Sequence, residues 1–158
     1  MGIFAELKPD MVLADPFAGY GSIPVQLIKK FKPSKLYVSD ISKEQVELIA
    51  AKKQMADERV DLRLADAFEL KHISDAEVDC VITDPPWGFY EDIGDIKIFY
   101  SKMFDSLLRI VKADGKLVIL SARKEELEAS AEEKGLKIQK SLHTLINGKK
   151  ASLYLITR

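Results

Sequence analysis

The chain has 158 residues, of which 47% are hydrophobic, and its 24 basic and 25 acidic side chains leave a net charge of −1. That suffices for one soluble domain, 1–158, with a sizeable core. No apolar run nears the ~20 residues that cross a bilayer, the first nine residues lack the apolar centre of a secretion signal, and one cysteine, Cys80, excludes an internal disulfide framework. The expected setting is cytoplasmic, with no membrane partner. The balanced charge also excludes a globally basic face for nucleic acid. It leaves local clusters, Lys29-Lys30 with Lys32 and Lys35, or Lys149-Lys150, which read first as solvated surface.

In chain order, Pro9-Asp10 is a turn and Met11 to Ala14 a short strand buried on both faces. The loop Asp15-Pro-Phe-Ala-Gly-Tyr-Gly21 follows, then a helix from Ile23 to Phe31 with Ser22 as its N-cap and Pro24 in its first turn. Lys35 to Ser39 is a second strand ending at Asp40. Ser42 caps a helix from Lys43 to about Ala56, with Gln45 at the capping-box position. Val60 to Ala65 alternates as a third strand, ending at Asp66. The apolar run Val78 to Ile82, which holds Cys80 as a core residue, is a fourth.

The fourth strand runs into Thr83-Asp84-Pro-Pro-Trp-Gly88. Pro85 and Pro86 stiffen the strand exit, since each fixes φ and lacks an N–H. Asp84 supplies acceptor oxygens, and Trp87 a flat face beside them; Phe89 and Tyr90 can extend that face. A rigid acceptor next to a stacking platform suits a planar substrate with an amino group. Ile96 to Lys112 is then an amphipathic helix ended by Ala113-Asp114-Gly115, with Gly115 as a left-handed cap. Lys116 to Ser121 is a fifth strand and Lys124 to Lys134 a surface helix closed by Gly135. Leu136 to Ile146 and Ala151 to Thr157 form a hairpin around Asn147-Gly148. Strands alternating with helices, then a hairpin, give an α/β fold: a mostly parallel seven-stranded sheet with an antiparallel C-terminal hairpin and helices on both faces.

Ligands of open α/β sheets bind beyond the carboxyl ends of the strands. Four strands end in or just before an acid: Asp15, Asp40, Asp66 and Asp84. Gly19 and Gly21 open a helix, whose N-terminus favours an anion, and Asp40 lies where a ribose-binding carboxylate is expected. The dinucleotide fingerprint requires glycine where Pro24 stands, and no Gly-Lys-Ser/Thr follows the loop for a nucleoside triphosphate. A zwitterionic adenosine cofactor without phosphates, S-adenosylmethionine, fits better. His72 and His143 show no metal-ligand spacing, and no metal is expected.

Asp15-Pro-Phe-Ala-Gly-Tyr-Gly-Ser-Ile-Pro24 resembles the first motif of Rossmann-like class I S-adenosylmethionine-dependent methyltransferases, and most closely the catalytic domain of THUMP-associated RNA guanine-N2 methyltransferases. Asp84-Pro-Pro-Trp87 resembles the amino-methyltransferase tetrapeptide. The cofactor's ammonium suits an acid such as Asp15; the resemblance implies that Gly19 and Gly21 line the methionine part of the cofactor, that Asp40 holds the ribose and that Asp66 with backbone groups of Ala67 meets the adenine, with Phe17 and Ile41 also among the cofactor-binding residues. It further implies that Asp84 and the Pro85 carbonyl accept the hydrogens of the target amine while Trp87 stacks on the base. The expected substrate is a nucleic-acid base, foremost guanine N2 in tRNA or other RNA, with an RNA-binding domain or partner subunit outside this chain. Trp87 stands where many relatives carry Tyr or Phe, which leaves adenine N6 open. A protein glutamine amide, a non-catalytic subunit of a methyltransferase complex and, least of all, a nicotinamide-dependent dehydrogenase are the other readings.

Overall fold

The computed structural model describes residues 1–89, 93–146 and 148–158. The chain runs β1 (Val12–Asp15), α1 (Ser22–Phe31), β2 (Lys35–Asp40), α2 (Lys43–Ala50), a 3-10 turn (Lys53–Ala56), β3 (Val60–Leu64), β4 (Val78–Thr83), α3 (Ile96–Ile110), β5 (Val111–Ser121), α4 (Lys124–Glu133), β6 (Lys137–Ile146) and β7 (Lys149–Thr157). All seven strands join one sheet in the order β3-β2-β1-β4-β5-β7-β6. The pairings from β3 to β5 are parallel, whereas β7 runs antiparallel to both β5 and β6. Asn147 of the expected Asn-Gly turn lies outside the described residues.

The central strands are apolar on both faces because each face carries its own core. Successive side chains of a strand point to opposite sides, so Leu13, Leu36, Val38, Cys80, Ile82 and Val118 fill one core with α1, α2 and the lead-in residue Ala5. Their neighbours Ala14, Tyr37, Val81, Leu117 and Ile119 fill the other with α3 and α4. Cys80 sits in the first core, and burial pushes its thiol up to about 12, which keeps it inert as a nucleophile.

Three local expectations change. The α2 helix stops at Ala50 rather than Ala56, because its apolar stripe would need an apolar residue at Lys52 or Lys53. A 3-10 turn carries Met55 into the core instead. The α3 helix ends at Ile110, and Val111 already has extended backbone. Gly115 is no helix cap. It lies inside β5 where the pairing slips from Val78–Val111 to Cys80–Lys116, so that the extra β5 residues bulge. A Cβ at Gly115 would sit 2.6 Å from Val111 Cγ2 and 3.0 Å from the Asp79 carbonyl oxygen. Only glycine lets the bulge approach β4 so closely.

Candidate active site

The sheet order places β1 between β2 and β4, the point where successive crossovers go to opposite sides and where open α/β sheets leave a crevice. A cleft of about 690 Å³ opens there. Its walls carry the carboxylates of Asp40, Asp66 and Asp84, with Phe17, Gly19 and Ile41 among its other lining residues. Phe99, from the first turn of α3, forms part of the wall, its ring centroid 5.9 Å from Phe17 and 5.2 Å from Phe68. Ile41 (73% exposed) and Tyr20 (72% exposed) are large side chains left open at the rim beside these aromatics.

The glycine loop is set by backbone geometry and by Asp40. Gly19 and Gly21 have φ of 49° and 73°. Gly21, not Ser22, is the N-cap of α1, and no side chain caps that end, so part of its amide set has no side-chain acceptor. Gly21 does not line the cleft. A Cβ there would meet Ile49 Cγ1 at 3.0 Å, so the residue seats α1 against α2. Asp40 clamps the loop: its Oδ2 accepts from the Gly19 N–H at 2.8 Å and its Oδ1 from the Ser42 N–H at 2.9 Å. A carboxylate has about four lone-pair sites, so both oxygens retain acceptor capacity. Asp66 Oδ1 accepts from the Phe68 N–H at 2.8 Å and holds the loop after β3, while the Ala67 carbonyl accepts from the Ser106 hydroxyl at 2.5 Å.

Asp15 lies beneath the cleft rather than on its wall, fully buried. Its Oδ1 accepts from the Thr83 hydroxyl at 2.8 Å and from the Phe17 N–H at 3.4 Å; its Oδ2 is buried with no partner. Burial pushes the carboxyl up to about 7, the Thr83 and Phe17 hydrogen bonds oppose that rise, and the charges of Asp84 and Asp40 add to it. Burial likewise raises Asp84 to about 6, offset in part by the Trp87 indole.

The loop after β4 divides its residues. Asp84 and Pro86 face the cleft, and Pro85 is buried. Trp87 is half-buried but does not line the cleft: its indole N–H donates to the Leu120 carbonyl at 3.4 Å and its ring meets Phe89 edge-on at 6.3 Å. Arg123, just past β5, donates from Nε to the Trp87 carbonyl at 2.8 Å and lies 4.7 Å over the Phe89 ring. The Arg123 N–H in turn donates to Ser121 Oγ at 2.8 Å, which is bonded to Tyr100 at 2.6 Å. This chain ties α3 and β5 to the acceptor loop. Tyr90 lies outside the described residues. No group of three or more His, Cys, Asp or Glu among the described residues could hold a metal.

Sequence reasoning missed Arg123, Thr83, Tyr20, Phe68 and Phe99. Phe99 reads as one apolar position of a helix, and its distance of three residues from Ile96 gives no hint that the start of α3 meets the cleft. Thr83 opens the Thr83-Asp84-Pro-Pro-Trp-Gly88 stretch and carries the available signal: a hydroxyl at a buried strand end needs a partner.

Solved methyltransferases share this sheet. The chain matches TrmN from Thermus thermophilus over 99% of its own length with a TM-score of 0.85 at 19% identity, spanning 46% of that protein. It matches an S-adenosylmethionine-dependent methyltransferase from Aquifex aeolicus over 99% of its length and 88% of that chain, with a TM-score of 0.73 at 19% identity. At these identities the likeness is one of fold, and the fold is that of the class I methyltransferases. Sequence carries the assignment further. Residues 1–151 match the model of the UPF0020 family, the RMKL-like methyltransferase domain. Over 152 residues the chain is 32% identical to a "Probable tRNA (guanine(10)-N2)-dimethyltransferase" of Methanothermococcus thermolithotrophicus, covering 90% of both. The chain belongs to the RMKL-like methyltransferase domain family and is an enzyme that uses S-adenosylmethionine.

Proposed function

We propose that the enzyme methylates an exocyclic amino group of an RNA base, foremost N2 of a guanine in tRNA. The observation that carries this is Asp84, held at the cleft wall by a Pro-Pro exit from β4, facing the same cavity as Asp40 and Asp66. The name of the 32% identical relative points to the same base and the same RNA.

The residues fit the cofactor. The uncapped start of α1 offers amide N–H groups to a carboxylate. The unpartnered Asp15 Oδ2 lacks a cation or donor, and an ammonium or sulfonium nearby would relieve its burial. Asp40 would take ribose hydroxyls on its remaining lone pairs, with Ile41 as an apolar wall, and Asp66 Oδ2 with the Ala67 amide would meet the adenine edge. Gly19 would let the loop approach the methionine part, and Phe17 would cover it, while Gly21 turns the chain into α1. When bound, S-adenosylmethionine supplies a methyl group on an electrophilic sulfonium.

The protein's own task is positioning. Asp84 and the Pro85 carbonyl accept the two hydrogens of the target amine. That draws the nitrogen lone pair out of conjugation with the ring and aims it into the cleft. Trp87 lies outside the cleft lining, so its ring would stack on a flipped base only where that base leaves the cleft beyond Asp84, an interaction of ~1–3 kcal/mol. As the nitrogen gains the new C–N bond it becomes acidic and loses one proton. Asp84, raised to about 6, is a better acceptor for that proton than an ordinary aspartate.

The test is incubation with unmodified tRNA and methyl-labelled cofactor, digestion to nucleosides and mass spectrometry. The expected product is N2-methylated guanosine. N6-methyladenosine as the product would reassign the base, and a labelled protein with unlabelled RNA would overturn the reading.

A further inference from the structure

A second cavity, of about 800 Å³, opens beside the acceptor loop and has no part in the cofactor cleft. It lies between the start of α4 and the β6–β7 hairpin, with Ser121, Lys124, His143, Thr144, Leu145 and Lys150 among its lining. The pairing of Ser121 with Ser152 brings the hairpin to the same end of the sheet as the loop after β4. Phe89, which is 43% exposed, links the two places. Arg123 stacks over its ring at 4.7 Å, and Lys149 Nζ lies over it at 3.8 Å.

The charge of this rim departs from that of the molecule. The chain as a whole carries −1, yet among the described residues Lys124 and Lys150 line this cavity while Arg123 and Lys149 lie over the nearby Phe89 ring. Glu125 and Glu126 follow on α4, but Glu126 is held by Arg123 at 3.7 Å. Lys124 and Lys150 are exposed and have no carboxylate within 4.0 Å among the described residues. Leu145 adds an apolar contact at 67% exposure, and the His143 ring is fixed by a 2.8 Å hydrogen bond to Ser152 Oγ. Two open cations beside a polar-apolar wall suit a sugar-phosphate backbone, whose phosphates take the charge. They do not suit an isolated small anion, because the cations line a broad open cavity.

We infer that this cavity is a subsite for the RNA strand flanking the target base: Lys124 and Lys150 contact its phosphates, and Thr144 and Leu145 line the wall against which the strand lies. The inference rests on the RNA reading above. It accounts for how a domain without a basic face can hold RNA at the site, and it places the flank one loop away from Asp84.

The test uses the whole chain with a fluorescein-labelled, unmodified tRNA transcript and measures anisotropy between 50 and 200 mM KCl. Three proteins are compared: wild type, Lys124→Gln/Lys150→Gln, and Lys29→Gln/Lys30→Gln on α1 as a charge-matched control. Loss of two phosphate contacts should lower affinity about tenfold at low salt and flatten the log–log salt slope by about 1.4. Binding of S-adenosylhomocysteine, read by calorimetry, should stay unchanged in all three. Wild-type protein that binds no tRNA overturns the RNA reading and the subsite with it. Wild-type binding matched by the Lys124/Lys150 variant overturns the subsite alone, as does an equal loss in the Lys29/Lys30 control, which would mark diffuse attraction.

Discussion

Asp15→Asn removes a buried charge while keeping the side chain's shape. Asn retains a carbonyl oxygen to accept from the Thr83 hydroxyl and the Phe17 N–H, as Asp15 Oδ1 does now. What it removes is an ionised oxygen with no partner. Raising the carboxyl from 3.8 in the unfolded chain to about 7 in the native one has a definite sign. The unfolded chain gives up its proton first, so between those values it binds fewer protons than the native state, and stability falls as pH rises. The contribution is complete below the unfolded value and gone above the folded one. Its full size is about 4 kcal/mol, of which about 3 kcal/mol is lost between pH 5 and pH 8. That is a large fraction of the ~5–15 kcal/mol typical of a domain.

The assay is urea denaturation of wild type and Asp15→Asn at several pH values from 5 to 8, without cofactor. The variant should already be more stable by about 1–2 kcal/mol at pH 5, by a margin that grows by about 3 kcal/mol more by pH 8. Asp84, raised to about 6, loses its own stabilisation as pH rises through that value in both proteins, so apart from its charge coupling to Asp15 that loss is common to both curves. Parallel curves would show that Asp15 ionises without cost and refute the burial argument. Function moves the other way. If a cofactor cation relieves the unpartnered oxygen, wild-type binding of S-adenosylmethionine near pH 7 releases a proton, which calorimetry in buffers of different ionisation enthalpy detects. Asp15→Asn should release none and bind more weakly, about tenfold.

Three further outcomes are expected. Because burial holds Asp84 at about 6, it is a charged acceptor above that pH and neutral below it, so kcat/KM should drop about tenfold per pH unit below 6; Asp84→Asn should be nearly inactive with a flat profile, and an unchanged acid limb in that variant would remove Asp84 from the mechanism. Arg123→Ala frees the Trp87 carbonyl and should lower kcat at least tenfold while S-adenosylhomocysteine affinity stays the same, an effect on positioning; a change in cofactor affinity alone would contradict it. Gly21→Ala forces a φ of 73° on an L-residue and brings its Cβ to 3.0 Å from Ile49, so urea denaturation should show a loss of about 1–2 kcal/mol.

Much of this site was legible because it is local. Each strand ends at a marked residue, each crossover helix has its own period, and the glycine loop and the Asp-Pro-Pro-Trp exit are contiguous in sequence. The failures lie where partners are distant. Arg123 reaches a carbonyl 36 residues away, and the register slip that reserves a place for Gly115 depends on β4. Trp87 is turned toward Leu120 by a bond no periodicity encodes. The four acids show the limit most clearly. In sequence they are one repeated sign, an aspartate at or just beyond a strand end. In the fold, Asp40 spends lone pairs on its own loop, Asp66 holds the turn that follows it, Asp84 stands half-covered at the cleft wall, and Asp15 is sealed beneath it. Burial, which no single residue carries in its type, sets Asp15 and Asp84 apart. Two of the four, Asp15 beneath the cleft and Asp84 on its wall, are lifted toward neutral pH. Under the proposed function, that division would let two acids at the ends of neighbouring strands hold a cation and accept a proton.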